Sequence, residues 1–445
     1  MQKITLTCLM GMWSLLALGQ EPLTLEAAIQ EALDHNYGIQ VAQYNIESAK
    51  TNAHPGAAGL LPALTLSGNA SYNNSNAMAE IINQDPTPGA PDFINTEING
   101  LQTSSAGASV GLNYTVFDGL GNVNNYRLLK QNVNVAEEQV RGIIETQISQ
   151  VVNAYYQVAR LTNTLNIQEE TLERSRQRLG FVSNQAEFGV VNKLALLNAE
   201  VDINTDSVNM ASTQLDLANA RRDLDLLMGR TSEETYQVST TVTPLPMMNL
   251  EELLGQTKQR NADLALAEEN QQVAELNLRV AQAARYPTLS VNASYGYNYN
   301  NNGPISVART VESLGLNAGA TLSFNIWNGN RVSRNIQSAQ VNLASSRVQQ
   351  QQAEQQVLTN LTKAYATYQN SRKVLELNRK SLDAAQLNFD RTQDAFELGQ
   401  ATGVQLREAQ LNLLRVQNQI NDLSFIIKIS ETELRACEKL PTGII

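Results

Sequence analysis

AGASVGLNYTVFDGLGN, residues 106–122, decides how the rest of the chain is read. Ala106, Ala108, Val110, Leu112, Tyr114 and Val116 alternate with Gly107, Ser109, Gly111, Asn113 and Thr115. A period of two is that of a strand with unlike faces. A Phe-Asp-Gly turn ends it, and from Asn122 to Glu187 no proline interrupts a helical pattern. The segment GLNAGATLSFNIWNGNR (315–331) makes the same switch, and FNIWNGNR (324–331) echoes TVFDGLGN (115–122).

Beyond this stretch, the two halves of the chain repeat one plan. LTLEAAIQEALDHN (23–36) matches MNLEELLGQTKQRN (248–261), setting Leu25 on Leu250 and Asn36 on Asn261. LLPALTLSGNASY (60–72) echoes ARYPTLSVNASY (284–295), with Pro62 on Pro287, and FGVVNKLALLNAE (188–200) matches LGQATGVQLREAQ (398–410). Repeats of this length are duplicated domains rather than solenoid units. The first repeat is assigned to 20–246, with strands at 63–74 and 106–117 and helices at 24–60, 121–187 and 191–228. The second is assigned to 247–440, with strands at 288–300 and 314–327 and helices at 250–285, 330–397 and 402–438; 441–445 is a tail.

Each of the four strands has one apolar face and one face of Ser, Thr, Asn and Gly almost free of charge, the pattern of a transmembrane β-strand. Aromatics (Tyr72, Phe117, Tyr295 to Tyr299, Phe324, Trp327) gather near strand ends, as an interfacial girdle requires. Barrels of this type begin at about eight strands, so four per chain close only when several chains join. The Asn-, Gly- and Pro-rich connections at 74–105 and 300–313 read as mobile outward loops.

The helices are too long for a globule and pack as coiled coil. Ile144, Ile148, Val151, Tyr155, Val158, Leu165 and Leu172 keep a 4-3 spacing, as do Leu358, Leu361, Tyr365, Tyr368, Leu375, Leu382 and Phe389. Leu406, Ala409, Leu413, Val416, Ile420, Leu423, Ile427 and Leu434 do likewise. That spacing specifies a left-handed supercoil. Leu411, Leu414 and Phe425, mirrored by Val201, Val208, Ala211, Leu215 and Ala218, form a second apolar line, as in a ring where each helix has two neighbours. Polar stripes on Gln405, Glu408, Asn412, Arg415, Gln419 and Asp422, and on Ala195, Asn198, Asp202, Thr205, Asn209 and Ser212, suit either the lining of a water-filled tube or an ordinary solvated face. The fold class is thus mainly α, with long antiparallel coiled-coil helices and a transmembrane β-barrel portion.

Residues 1–19, with Lys3 and an apolar run from Ile4 to Leu18, read as a cleaved secretory signal peptide. Cys8 lies within it, so Cys437 stands alone and no intrachain disulfide forms in the mature chain. A net charge of −11 argues against a nucleic-acid surface.

With these elements in place, the chain resembles the outer-membrane efflux (TolC-like) proteins over essentially all of its mature length. The duplicated tips FGVVNKLALLNAE and FELGQATGVQLREAQ, the entry YPTLSVNASYGYN and the exit IWNGNR carry the resemblance together. It implies a homotrimer in the outer membrane, with a shared barrel of about twelve strands and a periplasmic tunnel of helices. It implies an exit duct of a tripartite efflux pump or type I secretion system, served by a periplasmic adaptor and an inner-membrane pump. Pro62 and Pro287 would be the helix-to-strand swivels, and Phe188, Gly189, Val190, Leu398, Gly399 and Gln400 the adaptor-docking tips. The family's acidic constriction falls on Gln405 and Glu408, with Asn198 beside them. The family's basic tether falls on Ala401, leaving Arg407 or Lys193 to supply a charge. Asn412, Arg415 and Asp202 would line the tunnel.

Catalysis finds little support, because His35 and His54 are the only histidines and neither neighbours a strand serine. No phosphate loop, zinc set or cofactor motif is present, so no cofactor, metal or catalytic residue is expected. Asp85, Asp92 and Asn95 read as a solvated loop rather than a cation site. Two rivals remain: a periplasmic coiled-coil adaptor and a structural envelope spacer, both of which leave the apolar strand faces unexplained.

Overall fold

The computed structural model describes residues 22–83, 87–89, 91–231, 236–242, 246–303, 306 and 308–436. The expected signal peptide, both cysteines, Asp85 and the C-terminal tail lie outside them. The chain forms two compact units by backbone contact. One comprises the segments up to Tyr44, Gln139–Leu264 and from Glu354 onward; the other comprises Asn45–Glu138 and Ala265–Ala353.

Each expected leading helix is broken in two. Helix α1 (Leu25–His35) starts where the Thr24 hydroxyl accepts from the Ala27 N–H at 3.1 Å, and stops at Asn36, whose backbone is extended. The Asn36 side-chain oxygen then accepts from the N–H groups of Gly38 and Ile39, which starts α2 (Tyr37–Asn52). Its side-chain amide donates to the Leu227 carbonyl at 2.8 Å, so the break is anchored in the interior. Asn261 does the same between α5 (Leu250–Arg260) and α6 (Ala262–Ala283), capping Leu264. An Asn that ends one helix and caps the next leaves few orphan backbone groups at the bend. Helix α2 stops short of Pro55, earlier than the expected end at 60.

The strands β1 (Ala63–Ile82), β2 (Phe93–Phe117), β3 (Thr288–Asn301) and β4 (Thr310–Ser323) form one antiparallel sheet in the order β1-β2-β3-β4. One row across it reads Leu66, Val110, Tyr295 and Leu316; the next reads Ser67, Ser109, Gly296 and Gly315. Apolar and uncharged polar rows therefore lie on opposite faces, as the alternation requires. Much of the expected loop at 74–105 is strand, because Ala77 pairs with Ile98 and Ile82 with Phe93. β4 begins and ends earlier than expected, since its last partner is Thr288, the residue after Pro287; Phe324 and Trp327 fall outside the sheet.

Helices α3 (Gly121–Glu187) and α7 (Arg331–Glu397) have 67 residues each, and α4 (Lys193–Met228) and α8 (Gly403–Ala436) return from them. The seam positions Val151, Tyr155, Val158, Leu361, Tyr368, Leu375, Leu413 and Ile427 are buried. Phe425 is buried among Tyr156 and Leu224, not on the second apolar line to which the spacing assigns it. Val201, Val208 and Leu215 on that line are 62%, 67% and 60% exposed in the single chain. No helix among the described residues is long and apolar enough to cross a membrane.

Candidate functional site

The two long helices end in the same way. Gly189 and Gly399 take φ of 71° and 72°, and Val190 N–H donates to Gln185 O at 2.8 Å as Gln400 N–H does to Ala395 O at 2.7 Å. These six-residue closures satisfy the last carbonyls of each helix and need a left-handed residue, which glycine supplies. They leave Phe188, Val190 and Leu398 exposed at the tips. Asn192 caps α4 through Ala195 N–H, and Thr402 caps α8 through Gln405 N–H at 3.3 Å. The Gln405 side-chain oxygen accepts in return from the Thr402 N–H at 2.8 Å, a reciprocal capping box. This expected constriction residue thus has its carbonyl engaged with its own helix start.

Beneath the tips, Val182, Phe389, Phe396, Leu406 and Leu413 form a separate apolar cluster, with the Phe181 and Phe396 rings 5.2 Å apart. A cleft of about 760 Å³ opens between α4 and α8 over this cluster. Six of the expected constriction and tunnel residues line it: Asn198, Asp202, Arg407, Glu408, Asn412 and Arg415. Lys193 and Gln405 are exposed and do not line it. Glu408 and Asn198 are exposed, and Arg415 donates to the Asn412 side chain at 3.1 Å.

Arg407 points inward instead. Its two terminal nitrogens donate to Asp206 Oδ2 and Oδ1 at 2.8 and 2.7 Å, and its Nε lies 3.5 Å from Asp202. Ser175 donates to Asp206 at 2.6 Å, and Gln410 donates to Ser175 Oγ and to the Thr171 carbonyl, both at 3.0 Å. Arg178, its side chain 4% exposed, donates to Asp202 through Nη2, while its Nε and Nη1 find no acceptor. Burial pulls the Arg178 guanidinium below its ordinary value, and Asp202 opposes that shift. The cluster holds two arginines against two aspartates, so its formal charges balance, and Arg178 and Asp206 within it are buried. It joins α3, α4 and α8 behind the cleft. A bidentate Arg–carboxylate pair with a hydroxyl on the same acid is geometry that a point charge at Lys193 could not reproduce.

Asp206, Arg178, Ser175 and Gln410 did not emerge from the sequence patterns. Thr171, Ser175, Arg178 and Val182 are buried along a 4-3 line of their own, one residue out of step with the seam through Leu165 and Leu172, and that offset hid them from the spacing. Pro62 and Pro287 stand at the entries to β1 and β3, where the missing N–H and fixed φ suit a strand's first residues. Asp92 and Asn95 fall at the start of β2, and no cluster of metal-ligating side chains occurs among the described residues.

A family model described as outer membrane efflux protein matches residues 28–230 and again 253–437. The probable outer membrane lipoprotein SilC of Salmonella typhimurium is 24% identical over 412 residues, covering 91% of this chain and 83% of its own. The cation efflux system protein CusC of Escherichia coli O157:H7 is 23% identical over 420 residues, 92% of this chain and 84% of its own. A solved CusC structure superimposes with a TM-score of 0.74 at 22% identity, covering 93% of this chain and 91% of the other; at that identity the likeness is one of fold.

Proposed function

Because the chain belongs to the outer membrane efflux protein family, we propose that three copies form a passive exit duct through the outer membrane. The observation that carries this is the sheet. It has two open edges, one apolar face, and one uncharged polar face built from Ser, Asn, Thr and Gly. An open sheet with an apolar outside has no stable place in water or in lipid until its edges are paired. Joining β1 of one copy to β4 of the next closes about twelve strands around a wet lumen.

The helices would form the duct's tunnel. The exposed heptad line of Val201, Val208 and Leu215 is then a seam awaiting the neighbouring copy. The tips would dock a periplasmic adaptor that couples the duct to an inner-membrane pump, which supplies the energy. Glu408 is the constriction residue in this reading, exposed on the cleft beside Arg407, whose guanidinium is held by Asp206. A ring of these carboxylates favours cations.

Planar-bilayer conductance of the purified protein tests it. Wild type should give small, cation-selective channels, and Glu408→Ala should lose cation preference with little change in stability. Gln405→Ala, by removing half of a capping box, should lower helix stability by about 0.5–1 kcal/mol and leave selectivity alone. Folded protein that never inserts into bilayers would end the channel reading.

A further inference from the structure

The first hairpin outruns its sheet. β3 and β4 have 14 residues each, whereas β1 has 20 and β2 has 25. β2 last pairs with β3 at Ser104, yet β1 and β2 remain paired from Ser75–Leu101 to Ile82–Phe93. At about 3.4 Å per residue, the stretch from Asn73 to Ile82 carries this two-stranded ribbon about 34 Å past the four-stranded part. Among the described residues no further strand pairs with either of its edges.

The polarity of its faces inverts along the way. Within the sheet, the face bearing Leu64, Leu66, Val110 and Leu112 is apolar, and the face bearing Ser67, Ser71, Ser105 and Ser109 is polar. Traced outward, the apolar face becomes Asn74 with Gln102, Met78 with Glu97 and Glu80 with Asn95, before Ile82 and Phe93 close the tip. The polar face becomes Ser75 with Leu101, then Ala77 with Ile98, then Ala79 with Thr96, then Ile94. Both carboxylates of the paired ribbon, Glu80 and Glu97, sit on the first face; the second carries no charge. The inversion coincides with a bulge, where Asn76 faces an extra residue on β2, Gly100 has φ +72°, and the Gly100 N–H donates to Asn76 Oδ1 at 2.8 Å. A bulge bends its strand and re-aims the side chains beyond it.

We propose that in the assembled duct the three ribbons lean inward and pack these uncharged faces on one another, closing the outer mouth with an apolar constriction. The occupant of each face is thus a second copy of the same ribbon. This rests on the trimeric outer-membrane reading above, in which the Ser and Asn face lines the lumen. The continuation of that face past the rim points across the same axis towards its two copies. An isolated two-stranded ribbon is marginal in water, and an apolar face on it demands cover. Reach is sufficient: about twelve strands spaced about 4.8 Å apart and tilted about 40° enclose a radius of about 12 Å, about a third of the ribbon's length. Charge favours this orientation, since packing by the other face would bring Glu80 and Glu97 of three copies together. Apolar constrictions gate by excluding water.

The test places single cysteines at Ile98 and at Glu97, neighbours on opposite faces, in a Cys437→Ser background displayed on intact cells. Ile98→Cys should form a reducible chain-to-chain disulfide on mild oxidation and resist a membrane-impermeant maleimide. Glu97→Cys should label readily and not cross-link. Ile94→Cys serves as the second inward probe should Ile98→Cys fail to reach the surface. Purified Ile94→Ser/Ile98→Ser should conduct more than wild type in bilayers. Labelling of Ile98→Cys as fast as Glu97→Cys, without cross-links, means splayed ribbons and overturns the proposal. Protection without cross-links means that something else covers the face and overturns it equally. If neither cysteine labels until cells are lysed, the hairpin is not outside, and the outer-membrane orientation itself fails.

Discussion

Among single residues, Asp206 anchors the ion cluster near the tips. It is 5% exposed and accepts two bonds from Arg407 and one from Ser175. Asp206→Asn keeps the shape and removes the charge, leaving Arg407 with only the more distant Asp202. Breaking one side of a buried ion pair costs about 3–5 kcal/mol, so the variant should unfold earlier on thermal scans monitored by circular dichroism. If the cluster also fixes α8 over α4, the same variant should widen the duct and raise conductance. Tyr156 offers a second check, because burial pushes its hydroxyl up to about 12. A phenol whose value is raised on folding stabilises the fold fully below its ordinary value near 10. That contribution is lost as pH climbs from there towards 12, so Tyr156→Phe should blunt the alkaline loss of stability. The candidate constriction was partly legible residue by residue. Counting from Gly399 finds Gln405 and Glu408, but spacing is blind to side-chain direction. It could not tell that Gln405 folds back on Thr402 or that Arg407 turns inward to Asp206.

Among the helices and strands, the helix ends are the points of strain. Gly399 has a positive φ and open space around it, so Gly399→Ala meets no clash and suffers only the left-handed backbone penalty. That penalty is about 1–2 kcal/mol, and Gly399→Asn should recover part of it. Thermal melts of the three proteins would show the order glycine, asparagine, alanine. Long helices were readable because their seams repeat every seven residues over many turns, as with Ile144 to Leu172. Single-residue breaks were not. Asn36 and Asn261 sit inside good helical pattern, and only their bonds to Gly38, Ile39 and Leu264 show that each is a cap. The ribbon beyond Tyr72 was hidden for another reason. Its Asn, Gly and Pro content reads as loop, while the pairing of Ala77 with Ile98 is decided by a partner many residues away.

For the assembled protein, association between copies should depend on apolar lines that the single chain leaves exposed. The exposed line of Val201, Val208 and Leu215 repeats every seven residues, so a single charge on it falls on the proposed seam between copies. Val208→Asp should yield monomers on size-exclusion chromatography in mild detergent, with the helical signal retained; an unchanged trimer would remove this line from the interface. Sequence patterning reached the duplicated plan and the class of fold because both are written in periodicity. Which neighbour each face meets is not written there, as the buried Phe425 and the exposed Val208 show from similar positions. The first hairpin also differs from the rest of the chain in how a protease would meet it. No lysine or arginine occurs between Lys50 and Arg127, a span that contains β1, β2 and the ribbon tip. A protease that cuts after basic residues therefore finds no site on it, folded or unfolded. The ribbon can stand clear of the sheet without becoming the place where trypsin-like enzymes open the chain, and a tryptic digest should release the hairpin as one piece.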